Sequence, residues 1–214
     1  MESKLNNLSQ ADLAKADAKS RKRKAAREKM IAQKTIEKGL ILVHTGKGKG
    51  KSTAAFGLVF RALGNGMRVG IIQFVKGKWE TGERYALEKF NDQVEMLAMG
   101  EGFSWDTQDK ARDIRAAEAA WAKAQEWIEA SRGPKPRFDM ILLDELNIPL
   151  RYDNLDIGKI VEALKNKPED LHIIITGRNA KDALIEIADL VTEMGQIKHP
   201  FREQNVKAQK GIEF

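Results

Sequence analysis

Short apolar runs alternate with helix-like stretches from residue 39 onward. The runs are rich in Val, Ile and Leu, lack strict alternation with polar residues, and lie at 40–43, 69–75, 94–99, 138–144, 171–176 and 190–191. Runs of this kind are typical of strands that are covered on both faces. Helices are predicted between them at 81–90, 109–131, 156–166 and 179–188. The pattern therefore predicts an α/β fold, in which a mostly parallel sheet has helices on both faces.

A glycine-rich segment follows the first apolar run and comes directly before a helical pattern. It consists of Gly46, Lys47, Gly48, Lys49, Gly50, Lys51, Ser52 and Thr53. Strand, glycine-rich turn, Lys-Ser and helix is the layout of a phosphate-binding loop, or P-loop. Glycines let backbone N–H groups approach a polyphosphate, Lys51 adds positive charge, and the Ser52 hydroxyl can ligate Mg²⁺. We therefore predict a nucleotide site at this segment.

The loop departs from the consensus at one position. The consensus has a further glycine where this chain has Thr45. A flexible basic turn is the alternative interpretation, but the strand and helix patterns on either side favour a modified phosphate loop.

Polar residues also close two other predicted strands. Asp144 and Glu145 follow the fourth apolar run, and Thr176-Gly177-Arg178 closes the fifth. Parallel sheets bind ligands at the carboxyl ends of their strands, so these residues and the loop could converge on one nucleotide. An acid here would hold Mg²⁺ or merely cap a turn, and the residues leave open which acid contacts the ion. Arg178 would clamp phosphate or form a surface ion pair.

Two aromatic residues, Phe103 and Trp105, lie in a glycine-containing stretch after the third predicted strand. Large aromatic side chains on such a loop often face a ligand, but a hydrophobic plug is an equally good interpretation. His44 and His172 lie in or beside strand runs, so we expect them to be packed or hydrogen-bonded rather than catalytic.

Composition separates the chain into two parts and narrows the classes of function. The formal net charge is +6; residues 1–38 hold 11 basic and 5 acidic side chains, and residues 39–214 hold 26 of each. We predict a basic arm at 1–38, helical or disordered, and a nucleotide-binding domain at 39–214. The absence of cysteine excludes disulfides and cysteine nucleophiles. Because no membrane-spanning stretch or secretory signal is present, we expect a soluble, cytoplasmic protein.

A series of short motifs runs in order through the domain. They are TGKGKGKSTAAFG at 45–57, QFVKG at 73–77, GER at 82–84, GFSWDTQ at 102–108, LDEL at 143–146, ITGR at 175–178, ADLVTE at 188–193, KH at 198–199 and VKAQ at 206–209. This series resembles the ATP:corrinoid adenosyltransferases of the CobA/CobO/BtuR type. The resemblance implies a RecA-like P-loop fold and a homodimer. It also implies a reaction in which the Co(I) of a corrinoid attacks C5′ of ATP and the triphosphate leaves whole.

The resemblance assigns roles to residues of this chain. The nucleotide loop maps to residues 46–52, with Mg²⁺ or Mn²⁺ held by Ser52 and the acid pair, Glu145 rather than Asp144 being the expected ligand. Phe103 and Trp105 map to the aromatic pair on the lower face of the corrinoid, which eases reduction of its cobalt. The leading helix of the family covers the active site in the dimer, and a flavoprotein reductase is a further expected partner.

The chain departs from the family pattern near its predicted strand ends. Lys47 stands where many members have Asn, Asn147-Ile-Pro149 stands where an aromatic is common, and Asn179-Ala180 follows Arg178. These departures concern contacts to base and ribose more than contacts to phosphate. The alternative functions are a P-loop ATPase or kinase whose basic arm recruits nucleic acid, and a regulator that binds nucleotide without turnover. We expect neither nucleic acid nor membrane as a partner.

Overall fold

The computed structural model describes residues 9–75, 77, 81–90, 92–100 and 109–213. Its contacts divide the chain into two compact units, Met1–Glu37 and Lys38–Phe214. In the first unit a helix, α1, spans Gln10–Ala32, and the Ser9 side chain caps it by accepting a hydrogen bond from the Asp12 backbone N–H. None of its residues is buried. Residues 10–32 of the predicted arm are therefore helical.

The second unit is built around one parallel sheet. Its strands are β1 (Ile41–Thr45), β2 (Val69–Gln73), β3 (Val94–Ala98), β4 (Met140–Asp144), β5 (His172–Thr176) and β6 (Leu190–Glu193). Its helices are α2 (Lys51–Gly64), α3 (Gly82–Leu87), α4 (Lys110–Ala130), α5 (Asn147–Arg151), α6 (Ile157–Lys165), α7 (Asp182–Ile187) and α8 (Pro200–Glu203), with a 3₁₀ turn at Glu88–Phe90. The strand order is β3-β2-β4-β5-β1-β6, and every pairing is parallel. The predicted α/β class and parallel sheet are confirmed.

Both faces of the sheet are covered, which explains the uninterrupted apolar runs. Along β4, Leu142 packs in a cluster with Val59 and other side chains of α2, whereas Leu143 packs in a second cluster with Trp127 of α4. Successive strand residues point to opposite faces, so each run must be apolar at every position to fill both clusters. No described helix is both long and apolar enough to cross a membrane.

Several predicted boundaries were wrong by a few residues. Strand β2 ends at Gln73, two residues early, although Phe74 and Val75 remain buried beyond the ladder. The chain stays buried there after strand pairing has ended, so the apolar run overestimates the length of the strand. Helix α7 begins at Asp182 instead of residue 179, because Asn179 has a left-handed backbone with φ of 56°. The short helices α5 and α8 were not predicted, since each is only one turn long and contains a proline.

Candidate functional site

The glycine-rich segment joins the end of β1 to the start of α2 in a tight loop. Gly46 and Gly50 have φ of 97° and 102°, a left-handed region that side chains disfavour. A Cβ at Gly46 would lie 2.5 Å from the Met194 carbonyl oxygen. The Gly48 N–H donates to the same oxygen at 2.7 Å. The segment after β6 therefore holds the loop closely, and Gly46 and Gly48 are required for that approach.

Thr45 occupies the position where the consensus loop has its first glycine. Here it is the last residue of β1, and its backbone pairs with β6. Its hydroxyl accepts a hydrogen bond from the Ala180 N–H at 3.0 Å. The tight turn begins one residue later, at Gly46, so the departure from consensus leaves the loop geometry intact and ties the loop to the segment after β5.

Three positive groups lie close together at the loop. Lys51 is buried, and its ammonium donates to the Gly48 carbonyl at 2.5 Å. Burial is the main cause that lowers the pKa of Lys51; Arg178 and Lys49 lower it further, and the Glu145 carboxylate opposes them. Burial and Arg178 likewise lower the pKa of Lys49. Mutual repulsion of this kind is relieved by an anion, so the loop is suited to bind phosphate.

Asp144, the last residue of β4, is fully buried and accepts hydrogen bonds from three elements. The Ser52 hydroxyl donates to Oδ1 at 2.7 Å and the Thr176 hydroxyl donates to the same oxygen at 2.8 Å. The Gln73 amide donates to Oδ2 at 3.0 Å. The carboxyl ends of β2, β4 and β5 thus meet the start of α2 at one carboxylate.

The oxygens of Ser52 and Asp144 fit the ligand chemistry of Mg²⁺. A hydroxyl and a carboxylate are hard donors, and Mg²⁺ usually takes one or two carboxylates together with phosphate oxygens and water. Across the described parts of the chain, no three His, Cys, Asp or Glu side chains group to enclose a metal. A metal held by these two groups would have positions left for phosphate oxygens and water.

Glu145 follows Asp144 with a left-handed backbone, φ of 63°. Its N–H donates to the Thr176 hydroxyl at 2.8 Å. A Cβ at Gly177 would lie 3.2 Å from Glu145 Oε2, so this carboxylate lies beside the Gly177 backbone. The amide of Asn147 donates to the Gly177 carbonyl at 3.0 Å and joins the two loops a second time.

The structure brings together most of the predicted site residues. Lys47 and Thr53 lie exposed on the loop and the first turn of α2, and Arg178 is exposed after β5. Phe103 and Trp105 lie outside the described residues, so their predicted roles stay predictions. Lys49 forms an ion pair with Glu213 near the carboxyl terminus, which the sequence did not indicate.

Gln73 and Thr176 were missed as partners of Asp144. Each is the final residue of its strand, and each follows a run of apolar residues. For Thr176, a polar residue that closes an apolar run is the signal that could have found it, because parallel strand ends converge. Gln73 lies inside its apolar run, before Phe74 and Val75, so this signal does not mark it.

Comparison with known proteins agrees with this geometry. Residues 37–214 match the family described as ATP:corrinoid adenosyltransferase BtuR/CobO/CobP. A corrinoid adenosyltransferase from Sinorhizobium sp is 55% identical over 205 residues, which cover 95% of this chain and 93% of the relative. Corrinoid adenosyltransferases from Pseudomonas aeruginosa and Escherichia coli are 46% and 44% identical, covering 90% and 86% of this chain and 92% and 90% of theirs. The predicted resemblance is confirmed, and the chain belongs to the ATP:corrinoid adenosyltransferases, a family of enzymes.

Proposed function

We propose that the protein transfers the 5′-deoxyadenosyl group of ATP to the Co(I) of a corrinoid, such as cob(I)yrinic acid a,c-diamide or cobalamin, and releases triphosphate. Family membership supports the substrates. The observation that carries the reaction type is the cationic loop, in which Lys49, Lys51 and Arg178 converge beside the Ser52–Asp144 pair. This arrangement suits a site that must stabilise a departing polyanion.

The chemistry balances without a protein nucleophile. The lone pair of Co(I) attacks C5′ of ATP, the Co–C5′ bond forms, and the bond between C5′ and the triphosphate oxygen breaks. The bonding pair leaves on triphosphate, and the cobalt becomes formally Co(III). Co(I) needs no base to activate it, so the protein contributes orientation and stabilisation of the leaving group.

The described residues supply those two contributions at the loop. Backbone N–H groups of 46–52 would hold the phosphates, and Lys51 would neutralise charge on the outer ones. Ser52, Asp144 and Glu145 would hold Mg²⁺ or Mn²⁺, which offsets the negative charge of triphosphate when bound. Phe103 and Trp105 are proposed to pack under the corrinoid, as in the family.

The partners follow from the same reaction. Reduction of the cobalt before transfer needs an electron donor, for which a flavoprotein reductase is suitable. We also propose that the protein is a homodimer and, because it consumes ATP, that it works in the cytoplasm. Analytical ultracentrifugation tests the dimer directly, and a monomer at working concentration would contradict it.

The function is tested with purified protein, ATP, Mg²⁺ and a chemically reduced corrinoid. We expect one triphosphate for each light-sensitive Co–C bond, and no triphosphate when the corrinoid is omitted. Release of phosphate or diphosphate would overturn the proposal. If DNA or RNA stimulates such release in a salt-sensitive way, the protein is instead a nucleic-acid-dependent ATPase.

A further inference from the structure

The hydroxyl of Thr176 lies between the two acids that follow one another at the end of β4. It donates to Asp144 Oδ1 at 2.8 Å and accepts from the Glu145 N–H at 2.8 Å. Thr176 is fully buried. A hydroxyl has one hydrogen to donate and lone pairs to accept with, so one small group meets both demands. A side chain without a hydroxyl at this position would remove one of the two bonds to Asp144 Oδ1 and the bond from the Glu145 N–H.

The bond to the Glu145 N–H coincides with an unusual backbone. Glu145 has φ of 63°, a conformation that side-chain-bearing residues keep only when their surroundings enforce it. The surroundings here are the Thr176 hydroxyl and the neighbouring Gly177, whose lack of a Cβ leaves room for the Glu145 carboxylate. The bond between Asn147 and the Gly177 carbonyl keeps the two loops at that separation.

The bond to Asp144 fixes the other acid. Asp144 Oδ1 accepts from both Thr176 and Ser52, so Thr176 holds the carboxylate in the rotamer that faces the start of α2. If the Thr176 bond is lost, the carboxylate can turn away from Ser52, and the two oxygens that suit Mg²⁺ separate.

We propose that Thr176 is a positioning residue for the metal–nucleotide site: its hydroxyl aims Asp144 at Ser52 and fixes the left-handed turn that places Glu145 beside Gly177. The inference rests on the proposed nucleotide site, but it requires no corrinoid chemistry. Thr176 acts through the two acids and does not itself contact the nucleotide or the metal.

The test compares Thr176→Val, which removes the hydroxyl at similar size, with Thr176→Ser, which keeps it. ATP affinity is measured by calorimetry in Mg²⁺ and in EDTA, and the ratio of the two affinities is the readout. We expect Thr176→Val to lower this ratio by about tenfold or more, as loss of a group that orients metal ligands does, and Thr176→Ser to retain it. Thr176→Ala serves the same purpose if the valine variant does not fold.

Ser131 offers a matched control at the amino-terminal end of the strands, where Phe138 leads into β4. Its buried hydroxyl also makes two bonds, donating to the Trp127 carbonyl at 2.8 Å and accepting from the Phe138 N–H at 3.2 Å. Ser131→Ala should lower the melting temperature and leave the Mg²⁺ ratio unchanged.

Two outcomes would overturn the proposal. One is a lower melting temperature for Thr176→Val with an unchanged Mg²⁺ ratio, which would make Thr176 merely structural. The other is an equal loss in Thr176→Ser, which would show that the hydroxyl is not the cause. Suppose that the wild type forms no Co–C bond, but Thr176→Val still lowers the ratio of ATP affinity in Mg²⁺ to that in EDTA. That result would refute the proposed function and leave this inference standing.

Discussion

Polar side chains gather at both ends of the parallel sheet, but they make different kinds of contact. At the amino-terminal end of the strands they bond mainly to backbone. The Lys167 ammonium donates to the Gly39 carbonyl at 2.8 Å, and His172 Nδ1 accepts from the Leu40 N–H at 3.2 Å. Asp189 accepts from the backbone N–H that opens β1. These contacts satisfy the hydrogen-bonding groups of the backbone and therefore stabilise the fold.

At the carboxyl-terminal end polar side chains also bond to backbone, but three of them converge on one buried carboxylate. Asp144 accepts three side-chain bonds, and Lys51 is held among other charges. The backbone is strained there as well, since Glu145 and Asn179 both have positive φ after their strands. A strained backbone persists only where the surrounding structure enforces it, and such positions are often found at ligand-binding sites. The difference favours the carboxyl-terminal end as the site, because buried charged side chains there lie beside residues with a left-handed backbone.

The largest effect is expected from Gly46→Ala, which would break the strained end directly. An added Cβ meets the Met194 carbonyl at 2.5 Å, and φ of 97° is unfavourable for alanine. The backbone strain should lower the free energy of unfolding by about 1–2 kcal/mol. Because the clash also displaces the loop that would hold the phosphates, ATP affinity measured by calorimetry should fall by about tenfold.

Gly57→Ala in α2 is the control for Gly46→Ala. A Cβ at Gly57 meets nothing within 4 Å, so this change should keep ATP affinity and stabilise the protein by up to about 1 kcal/mol. Normal ATP binding by Gly46→Ala would show that the strained end is not the nucleotide site.

Lys51 and Lys167 provide a matched pair across the two ends. Burial is the main cause that lowers the pKa of each, and each ammonium donates to a backbone carbonyl. Lys51→Met should weaken ATP binding by roughly 1.5–3 kcal/mol, as loss of a charge-assisted contact does. Lys167→Met should leave ATP affinity unchanged and lower the free energy of unfolding by about 1–2 kcal/mol.

Calorimetry with ATP and urea unfolding of both lysine variants separate these effects. If Lys167→Met weakens ATP binding as much as Lys51→Met does, the contrast between the two ends fails.

Features defined by residues close together in the sequence could be predicted, whereas contacts between distant residues could not. The P-loop and the acid pair were predictable because spacing along a few residues defines them, and the sheet was predictable because apolar runs report burial on both faces. The donors to Asp144 were not, because Gln73 and Thr176 lie 71 and 32 residues away from it. Only the order β2-β4-β5 makes them neighbours.

The same reasoning explains the departure at Thr45. By residue spacing alone, Thr45 stands where the consensus has a glycine. Its place as the last residue of β1 is visible only in the structure, where it pairs with β6. Likewise, the ion pair of Lys49 with Glu213 spans most of the domain, and no local pattern indicates it. The sequence did predict the type of role of the histidines in the strand runs, since His172 is hydrogen-bonded as expected.

A smaller effect is expected in the pH dependence of the free energy of unfolding, to which His172 at the amino-terminal end contributes. His172 Nδ1 accepts from the Leu40 N–H, which requires an unprotonated nitrogen, and burial followed by Lys167 lowers the pKa of His172 below its ordinary 6.5. The unfolded state therefore takes up the proton first as the pH falls. The contribution of His172 to stability is present above about pH 6.5 and is lost as the pH falls through 6.5 toward the folded pKa.

His172→Asn tests this pH dependence, because an amide oxygen can accept the same bond without titrating. Between about pH 7.5 and 5.5 the wild type should lose more free energy of unfolding than the variant. The excess should be small, since His172 is only partly buried. Parallel curves for the two proteins would contradict the expectation, and ATP affinity should be alike in both.

The smallest effect concerns an ion pair that brings an acid from near the carboxyl terminus to the strained end. Glu213 pairs with Lys49, whose side chain is half exposed, and a bound triphosphate would compete for the same ammonium. Glu213→Gln should therefore tighten ATP binding by no more than about 1 kcal/mol, and added salt should abolish the gain. Glu186→Gln, on the exposed face of α7, makes the same change in net charge and should leave ATP affinity unchanged. If Glu213→Gln weakens binding instead, the acid stabilises the loop, and this pair resembles the fold-stabilising contacts of the opposite end.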